Sequence, residues 1–412
     1  MLQSQLFTKT ERTTQADEPS VNARLLWQAG YIDKLAAGIY TYLPLGLRVL
    51  KNVQEIVRQE MVGIGAQEIL MPALHPKEYW AQTGRWQDPG TTVMFQFQGR
   101  GEQEFGLGWT HEEIVTPLAK RYLHSYRDLP FSVFQIQDKF RNELRAKSGL
   151  LRGREFSMKD LYSFHRDAGD LDQFYQQVMD AYRRVFQRCG LDAIVVEASG
   201  GAFAKYSHEY QVVTPDGEDM VFACQQCRYA QNREISEFKT GDTCPKCGGK
   251  FHEEKAIEVG NIFKLGTRFS SAFNLRYLDE HGVSQPVLMG CYGIGPSRVM
   301  GAIAEIHHDE HGLRWPASVA PFCVHLLMLG KIATVKDRAL EVYRQLQTHG
   351  IATLLDDRLE VTAGEKFHDA DLMGMPWRAV VSAKSGEHIE LKSRATGKME
   401  MLTLEELRES VK

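Results

Sequence analysis

Four short segments carry the side chains whose types and spacing could do chemistry: Thr110-His111-Glu112, Phe140-Arg141-Asn142-Glu143, Arg154-Glu155-Phe156, and the run from Gly290 to Arg298. A guanidinium forks onto pairs of oxygens, so Arg141 could bridge a carboxylate and a phosphate. Glu143, two residues on, could accept from the amino group of a flat ring, and Phe156 could stack on that ring. Thr110 and Glu112 could hold an ammonium. Glycines at 290, 293 and 295 allow close backbone approach, and Arg298 supplies a second cation. Such a set suits attack of an amino acid carboxylate on a nucleotide α-phosphate, a transfer driven mainly by positioning and charge neutralisation.

Each segment also has a plainer reading. Arg141 and Glu143 could be a surface ion pair of little worth. Phe156 could be core, and Thr110-His111-Glu112 could be a helix N-cap with an acidic first turn. The glycine run lacks the spacing of a dinucleotide fingerprint and the Gly-Lys-Ser/Thr of a P-loop.

A second chemistry lies in the cysteines. Of seven, four form two Cys-x-x-Cys pairs, Cys224/Cys227 and Cys244/Cys247, with sixteen residues between. That is the spacing of a four-thiolate Zn²⁺ ribbon, which leaves no open coordination position and implies a structural metal. A redox dithiol is the alternative. Cys189, Cys291 and Cys323 are scattered and read as reduced, buried thiols.

The elements that must position these groups follow from periodicity. Val49, Val53, Ile56, Val57 and Met61 recur at helical spacing until Gly63 and Gly65, and Glu68–Pro72 reads as a short strand. Ser132–Glu143 alternates, with Phe134, Ile136 and Phe140 on one face and Gln135, Gln137, Lys139, Arg141 and Glu143 on the other. The polar face meets solvent or lines a polar cavity. Residues 144–151 would loop back to a second strand around Arg154–Met158. Asp170–Gln173 resembles a capping box opening a helix whose apolar stripe runs from Leu171 to Phe186. Strands at Ile194–Glu197 and Tyr210–Val213 make the middle of the chain α+β on an antiparallel sheet. After His311–Pro316 the pattern changes to alternating strand and helix, predicting a compact α/β domain at the C-terminus.

Composition bounds the rest. A chain of 412 residues implies two or three domains, and 43% hydrophobic with 25% charged residues is ordinary for a soluble globular protein. No apolar run spans a bilayer and the N-terminus lacks a signal-peptide pattern, so a cytoplasmic address is expected. A net charge of −4 neither supports nor excludes a nucleic-acid partner, because the field that matters is local.

In order and content, the motif set resembles the prolyl-tRNA synthetases, a family of class II aminoacyl-tRNA synthetases. The matching stretches include Ala29–Tyr40, Thr83-Gly84-Arg85-Trp86, Thr110–Glu113, Phe140–Glu143, Arg154–His165, Ser207-His208-Glu209, Glu258–Thr267, Gly290–Arg298, Leu355–Arg358 and Gly374-Met375-Pro376. The resemblance implies a class II catalytic domain over 1–316, with a zinc-ribbon-like insert at 221–252, and an α/β anticodon-binding domain over 317–412. It implies proline–tRNA ligation with proline held by Thr110, Glu112, Arg141 and His165. It implies ATP, with Mg²⁺, held by Arg141, Glu143, Phe156, Gln211, Gly293, Gly295 and Arg298. Arg141 and Arg298 would be catalytic, tRNA(Pro) the partner, and a homodimer the assembly.

Two departures stand out. Trp109 precedes Thr-His-Glu where the family commonly has proline. Between the second and third motifs, where many bacterial members carry a large editing insertion, only the cysteine segment stands. No editing in cis is expected, and a separate deacylase acting in trans is the corresponding hypothesis. A non-catalytic paralogue and a zinc-ribbon nucleic-acid binder are the competing readings; the first fits poorly with Arg141, Arg298 and the C-terminal unit all present.

Overall fold

The computed structural model describes residues 1–13, 20–201 and 203–411. The chain divides into two compact units that do not follow chain order. One gathers Met1–Leu35, Tyr40–Val53 and Ile303–Lys412; the other holds Ala36–Ile39 and Gln54–Ala302.

The helical stripe that begins at Val49 forms as expected, in α1 (Pro44–Gly63). Its apolar positions are buried, and Gly65 beyond its end takes a positive φ. The strand expected after it is shorter, Gln67–Glu68 only. Its partner is β1 (Phe131–Phe140), in parallel register; Ile69 N–H still bonds the Phe134 carbonyl, and Met71 N–H then donates to the Gln135 side chain. The helix α2 (Glu112–Lys120) buries Val115 and Ala119 in a cluster with Tyr162, Phe164, Phe269 and Met289.

β1 pairs antiparallel with β2 (Glu155–His165) in the register Lys139↔Phe156 and Gln135↔Asp160. The helix α3 (Ala168–Arg188) follows. It is capped not at Asp170 but by Asp167, whose carboxylate accepts from Asp170 N–H. Asp170 thereby stays free to meet His165.

The next strands are β3 (Ala193–Ser199), β4 (Tyr206–Val213), β5 (Asp219–Cys224), β6 (Ala230–Asn232), β7 (Phe251–Gly266) and β8 (Leu288–Ile294), leading into α4 (Pro296–Ile306). Together they make a nine-stranded sheet in the order β4-β3-β6-β5-β7-β8-β2-β1 and then Gln67–Glu68. The 16-residue β7 has two partners along one edge, β5 by residues 251–256 and β4 by 256–263. Because β4 also returns to β3, and β3 through β6 to β5, five strands close on themselves. Ile194, Val196, Val221, Ala230 and Ala256 pack as the apolar cluster of these strands. The cysteine segment grows out of two strands of this ring, β5 and β7, rather than standing apart.

In the other unit, β9 (Val324–Leu329), α5 (Ala333–Thr348), β10 (Thr353–Asp356), α6 (Ala363–Met373) and β11 (Trp377–Ser382) alternate as expected. The hairpin β12 (Ile389–Ser393) and β13 (Met399–Leu402) and the helix α7 (Leu404–Ser410) complete it. The order is β10-β9-β11-β12-β13, with β9 parallel to both its neighbours. Capping boxes at Thr362/Glu365 and Thr403/Glu406 start α6 and α7. No helix among the described residues is long and apolar enough to cross a membrane.

Candidate functional site

The polar face of β1 does not meet solvent. Gln135 and Lys139 are buried, and both converge on Asp160 of the paired strand. Lys139 Nζ lies 2.8 Å from Asp160 Oδ1, while the Gln135 amide and the Tyr162 hydroxyl both donate to Oδ2 at 3.0 Å. Asp160 is therefore held below the usual carboxylate range despite its burial, chiefly by Lys139. The Tyr162 hydroxyl in turn accepts from His111 N–H at 2.9 Å. One carboxylate thus fixes the backbone of the Thr110–Glu112 loop through a single tyrosine.

Lys139, Asp160 and Thr110 line a cavity of about 260 Å³ together with Arg141, Phe156, Met158, Glu258, Asn261, Gly293, Gly295 and Arg298. A second hollow of about 240 Å³ shares Arg141, Glu258 and Arg298 and adds Glu143, Arg152, Glu218 and Asp219. Cations stand at the junction of the two, and acids line the second. A larger groove beside the cysteines also exists, but its Arg228 is already paired with Asp192 at 2.8 Å and its Arg183 with Asp180 at 2.7 Å.

The strand period brings Arg141 to this place, although β1 itself stops at Phe140. Arg141 N–H still bonds the Arg154 carbonyl, and its guanidinium lies 5.1 Å from the Phe156 ring centroid. Burial and the neighbouring Arg298 charge push Arg141 below its ordinary value. Arg141, which no carboxylate of the described residues bonds directly, makes this junction suited to an anion.

Glu143 reaches the same hollow for a different reason from the one expected. The chain turns after Arg141, with Glu143 N–H bonded to the Arg141 carbonyl, so the two do not share a strand face by alternation. The Glu143 carboxylate is bound by Arg152 at 2.9 Å.

Arg298 sits in the first turn of α4 and donates to Glu258 Oε2 at 2.6 Å. The glycines before it serve distinct ends. A Cβ at Gly290 would collide with the Tyr292 hydroxyl, whereas one at Gly293 would meet Met158 at 3.6 Å, on the cavity side. Gly293 therefore leaves bare backbone as part of the cavity wall.

Glu112 is fully buried and does not line the cavity itself. Thr110, which does, donates to Glu112 Oε2 at 2.7 Å, and Arg85 Nη1 donates to the same oxygen at 3.2 Å. Arg85 also bonds Glu113, whose carboxyl is raised to about 7 by burial, against the pull of Arg85. Gln211 is one hydrogen bond behind the wall, donating to Asp219 at 3.1 Å.

His165 is not brought to this site. On β2 the cavity takes Phe156, Met158 and Asp160, so odd-numbered residues point to the opposite face of the sheet. There Lys159 meets the Tyr182 hydroxyl, and His165 Nδ1 lies 3.0 Å from Asp170 Oδ2 with its ring against Phe174. The expected proline contact is corrected to a packing role against α3.

Lys139, Asp160, Tyr162, Arg85 and Glu258 were missed as site residues. Lys139 carried a signal as a cation on the polar face of a strand; Arg85, Asp160, Tyr162 and Glu258 lie in stretches that resemble the family, but their roles depend on pairings between distant segments.

The four cysteines converge. Their sulfurs lie within 4.8 Å of one another, with Cys224–Cys247 at 3.5 Å and Cys227–Cys244 at 3.6 Å. Both turns are built alike: Arg228 N–H bonds the Cys224 carbonyl and Gly248 N–H the Cys244 carbonyl, each at 2.9 Å. Arg228 and Gly248 both take positive φ, at 63° and 78°.

Comparisons with known proteins agree with this geometry. Residues 95–307 match the family model described as the tRNA synthetase class II core domain (G, H, P, S and T), and residues 323–412 match that of an anticodon binding domain. A proline–tRNA ligase of Halothermothrix orenii is 33% identical over 563 aligned positions, covering 100% of this chain and 99% of the relative. One from Exiguobacterium sibiricum is 35% identical over 561, with the same coverage. Both alignments far exceed 412 positions, so the relatives carry a long stretch with no counterpart here. Among solved structures, Giardia lamblia prolyl-tRNA synthetase in complex with prolyl-adenylate shares the fold, with a TM-score of 0.78 at 21% identity, over 93% of this chain and 74% of that one. So does the Cryptosporidium parvum enzyme complexed with L-proline and AMP, with a TM-score of 0.77 at 17% identity, over 95% and 73%.

Proposed function

The chain belongs to the prolyl-tRNA synthetase family, and on that premise we propose how its own residues ligate proline to tRNA(Pro) at the expense of ATP. The observation that carries the assignment is the paired guanidiniums of Arg141 and Arg298 at one cavity junction, beside Thr110 and the buried Glu112.

Proline's ammonium sits by Thr110, whose hydroxyl is already oriented by Glu112. Its carboxylate turns toward Arg141, which also faces the ATP α-phosphate, so the attacking and receiving groups share one cation. Arg298 leaves Glu258 for the distal phosphates. Phe156 stacks on adenine, with Glu143 at the ring amino group and Gln211 supporting the wall through Asp219. Glu258 and Asp219, both lining the second hollow, offer the oxygen donors that would hold Mg²⁺ brought with ATP, which would supply further charge neutralisation at the phosphates. The carboxylate–phosphate bond then forms as pyrophosphate leaves, and a tRNA hydroxyl takes the prolyl group from the adenylate as AMP leaves.

The four thiols fit Zn²⁺. Tetrahedral coordination with Zn–S near 2.3 Å places sulfurs about 3.8 Å apart, close to the spacings found. The metal's role is structural, tying the two turns together. The match of residues 323–412 to an anticodon binding domain supports reading of the anticodon by the C-terminal unit, where a cavity of about 770 Å³ at the carboxyl ends of β9 and β11 bears Lys384, with Arg358 and Lys366 held by Asp356. Exposed Val62 near the end of α1, with Leu70 and Leu74 beyond it, offers apolar surface that supports a homodimer. The partner tRNA puts the work in the cytoplasm. With the long stretch of its relatives missing, we assign no editing in cis and leave mischarged alanyl-tRNA to a deacylase acting in trans.

Proline-dependent ATP–pyrophosphate exchange by the zinc-replete protein tests the reading, and its absence from folded protein would sink it. Hydrolysis of alanyl-tRNA(Pro) should not rise above the spontaneous rate; appreciable deacylation would overturn the editing assignment. Tyr162→Phe removes the acceptor for His111 N–H and the donor to Asp160 without changing shape. It is expected to raise KM for proline about tenfold, the worth of one buried hydrogen bond, and to leave KM for ATP unchanged. Equal changes in both would make Tyr162 merely structural.

A further inference from the structure

One end of the 260 Å³ cavity is apolar. Trp109, Phe203 and Phe263 line it, with ring centroids 5.7 Å apart for Trp109–Phe203 and 4.8 Å for Phe203–Phe263. Trp109 directly precedes Thr110, so whatever is held by its ammonium at Thr110 places its side chain near this indole. Trp109 is 4% exposed and immobilised on several sides. The Arg85 guanidinium stacks on it at 4.3 Å, and Trp80 packs at 5.7 Å between centroids. Arg85 is itself fixed, since the nitrogen that bonds Glu112 belongs to the same planar group that covers the indole. Trp109 Nε1 is buried without a hydrogen-bond partner among the described residues, so no polar contact accounts for a tryptophan at this position.

We propose that Trp109 is a specificity-determining residue, its indole forming a rigid wall against the pyrrolidine ring that selects proline over the smaller alanine, with Arg85 locking that wall to Glu112, which orients the ammonium-facing Thr110. The inference rests on the prolyl reading of the site. Alanine carries an ammonium and carboxylate of the same charge and can enter any pocket that admits proline, so apart from one additional N–H it is contact with the ring methylenes that separates the two. A wall that could collapse would follow the smaller substrate inward and recover its contacts. One clamped by a buried ion pair and neighbouring rings cannot, and alanine then leaves an unfilled gap. Pockets of this kind discriminate by about 10–200-fold. In a chain without its relatives' long additional stretch, that selection falls on this cavity.

The test is ATP–pyrophosphate exchange with proline and with alanine, on the full chain, for wild type, Trp109→Phe and Trp109→Ala. Trp109→Ala is expected to lower the proline-to-alanine ratio of kcat/KM by about tenfold or more, and Trp109→Phe to keep most of it. KM for ATP should stay put in both. A ratio unchanged in Trp109→Ala, with both substrates falling together, would overturn the proposal and leave Trp109 a packing residue. Should Trp109→Ala lose its cooperative melt, the same ratio read on Trp109→Leu decides in the same way. Wild type inactive with proline would instead withdraw the underlying reading.

Discussion

Replacing Arg141 by alanine is expected to cut proline-dependent ATP–pyrophosphate exchange by about a thousandfold or more, while the thermal melt stays that of wild type. Removing one preorganised donor from a charge-stabilising site costs about 10²–10³ in rate. In the proposed mechanism Arg141 is asked for more, because there it would face the attacking carboxylate and the α-phosphate together and so both position and neutralise. The melt should not move, since no ion pair among the described residues holds Arg141 and its Nε is unpartnered. Burial and then the neighbouring Arg298 charge push its ionisation below the ordinary value. Arg141→Lys keeps the charge and loses the planar fork, so it should recover only part of the rate. Exchange within tenfold of wild type in Arg141→Ala would remove Arg141 from the chemistry.

Why Arg141 was legible and His165 was not comes down to which physical rule local sequence encodes. Alternation is local, so Gln135, Lys139 and Arg141 could be read as one polar face, and that face is buried against Asp160. The same rule, applied along β2, would have sent His165 to the far side from Phe156. Resemblance placed it in the site; parity puts it against α3. Glu143 shows the opposite case, where the side chain reaches the site although the strand has ended and a turn does the work. Arg85 and Glu112 meet through tertiary packing of segments 27 residues apart, which no period announces. The closed ring of β3 to β7 was equally hidden, because it depends on a parallel pairing of β3 with β6 and on β7 changing partner midway. The cysteine pairs were readable because metal chemistry fixes ligand spacing within each turn, independently of what surrounds it.

Removal of the metal is the second large effect, and its form separates a structural site from a redox one. In a redox dithiol the reactive sulfurs belong to one Cys-x-x-Cys, and a bond between them is 2.05 Å long. Here the short distances run between the turns, Cys224 to Cys247 and Cys227 to Cys244, as four corners of one polyhedron demand. Below them Phe222, Phe251, Tyr229 and Phe238 pack with the buried Cys224 and Cys244, so a metal held by the four thiols would pin an aromatic cluster and the ends of β5 and β7. Purified protein is therefore expected to carry one Zn²⁺ per chain. Because binding free energy at such sites is folding free energy, chelation or Cys244→Ser should lower Tm by roughly 10 °C or more. Hydrogen exchange should speed up across residues 224–251 and along β5 and β7, while α3 keeps its protection. Acidification should release the metal as the thiolates take up protons, whereas a dithiol reading predicts no metal and a wild-type melt after reduction. A Cys244→Ser protein that melts like wild type, with no zinc in either, would end the metal assignment.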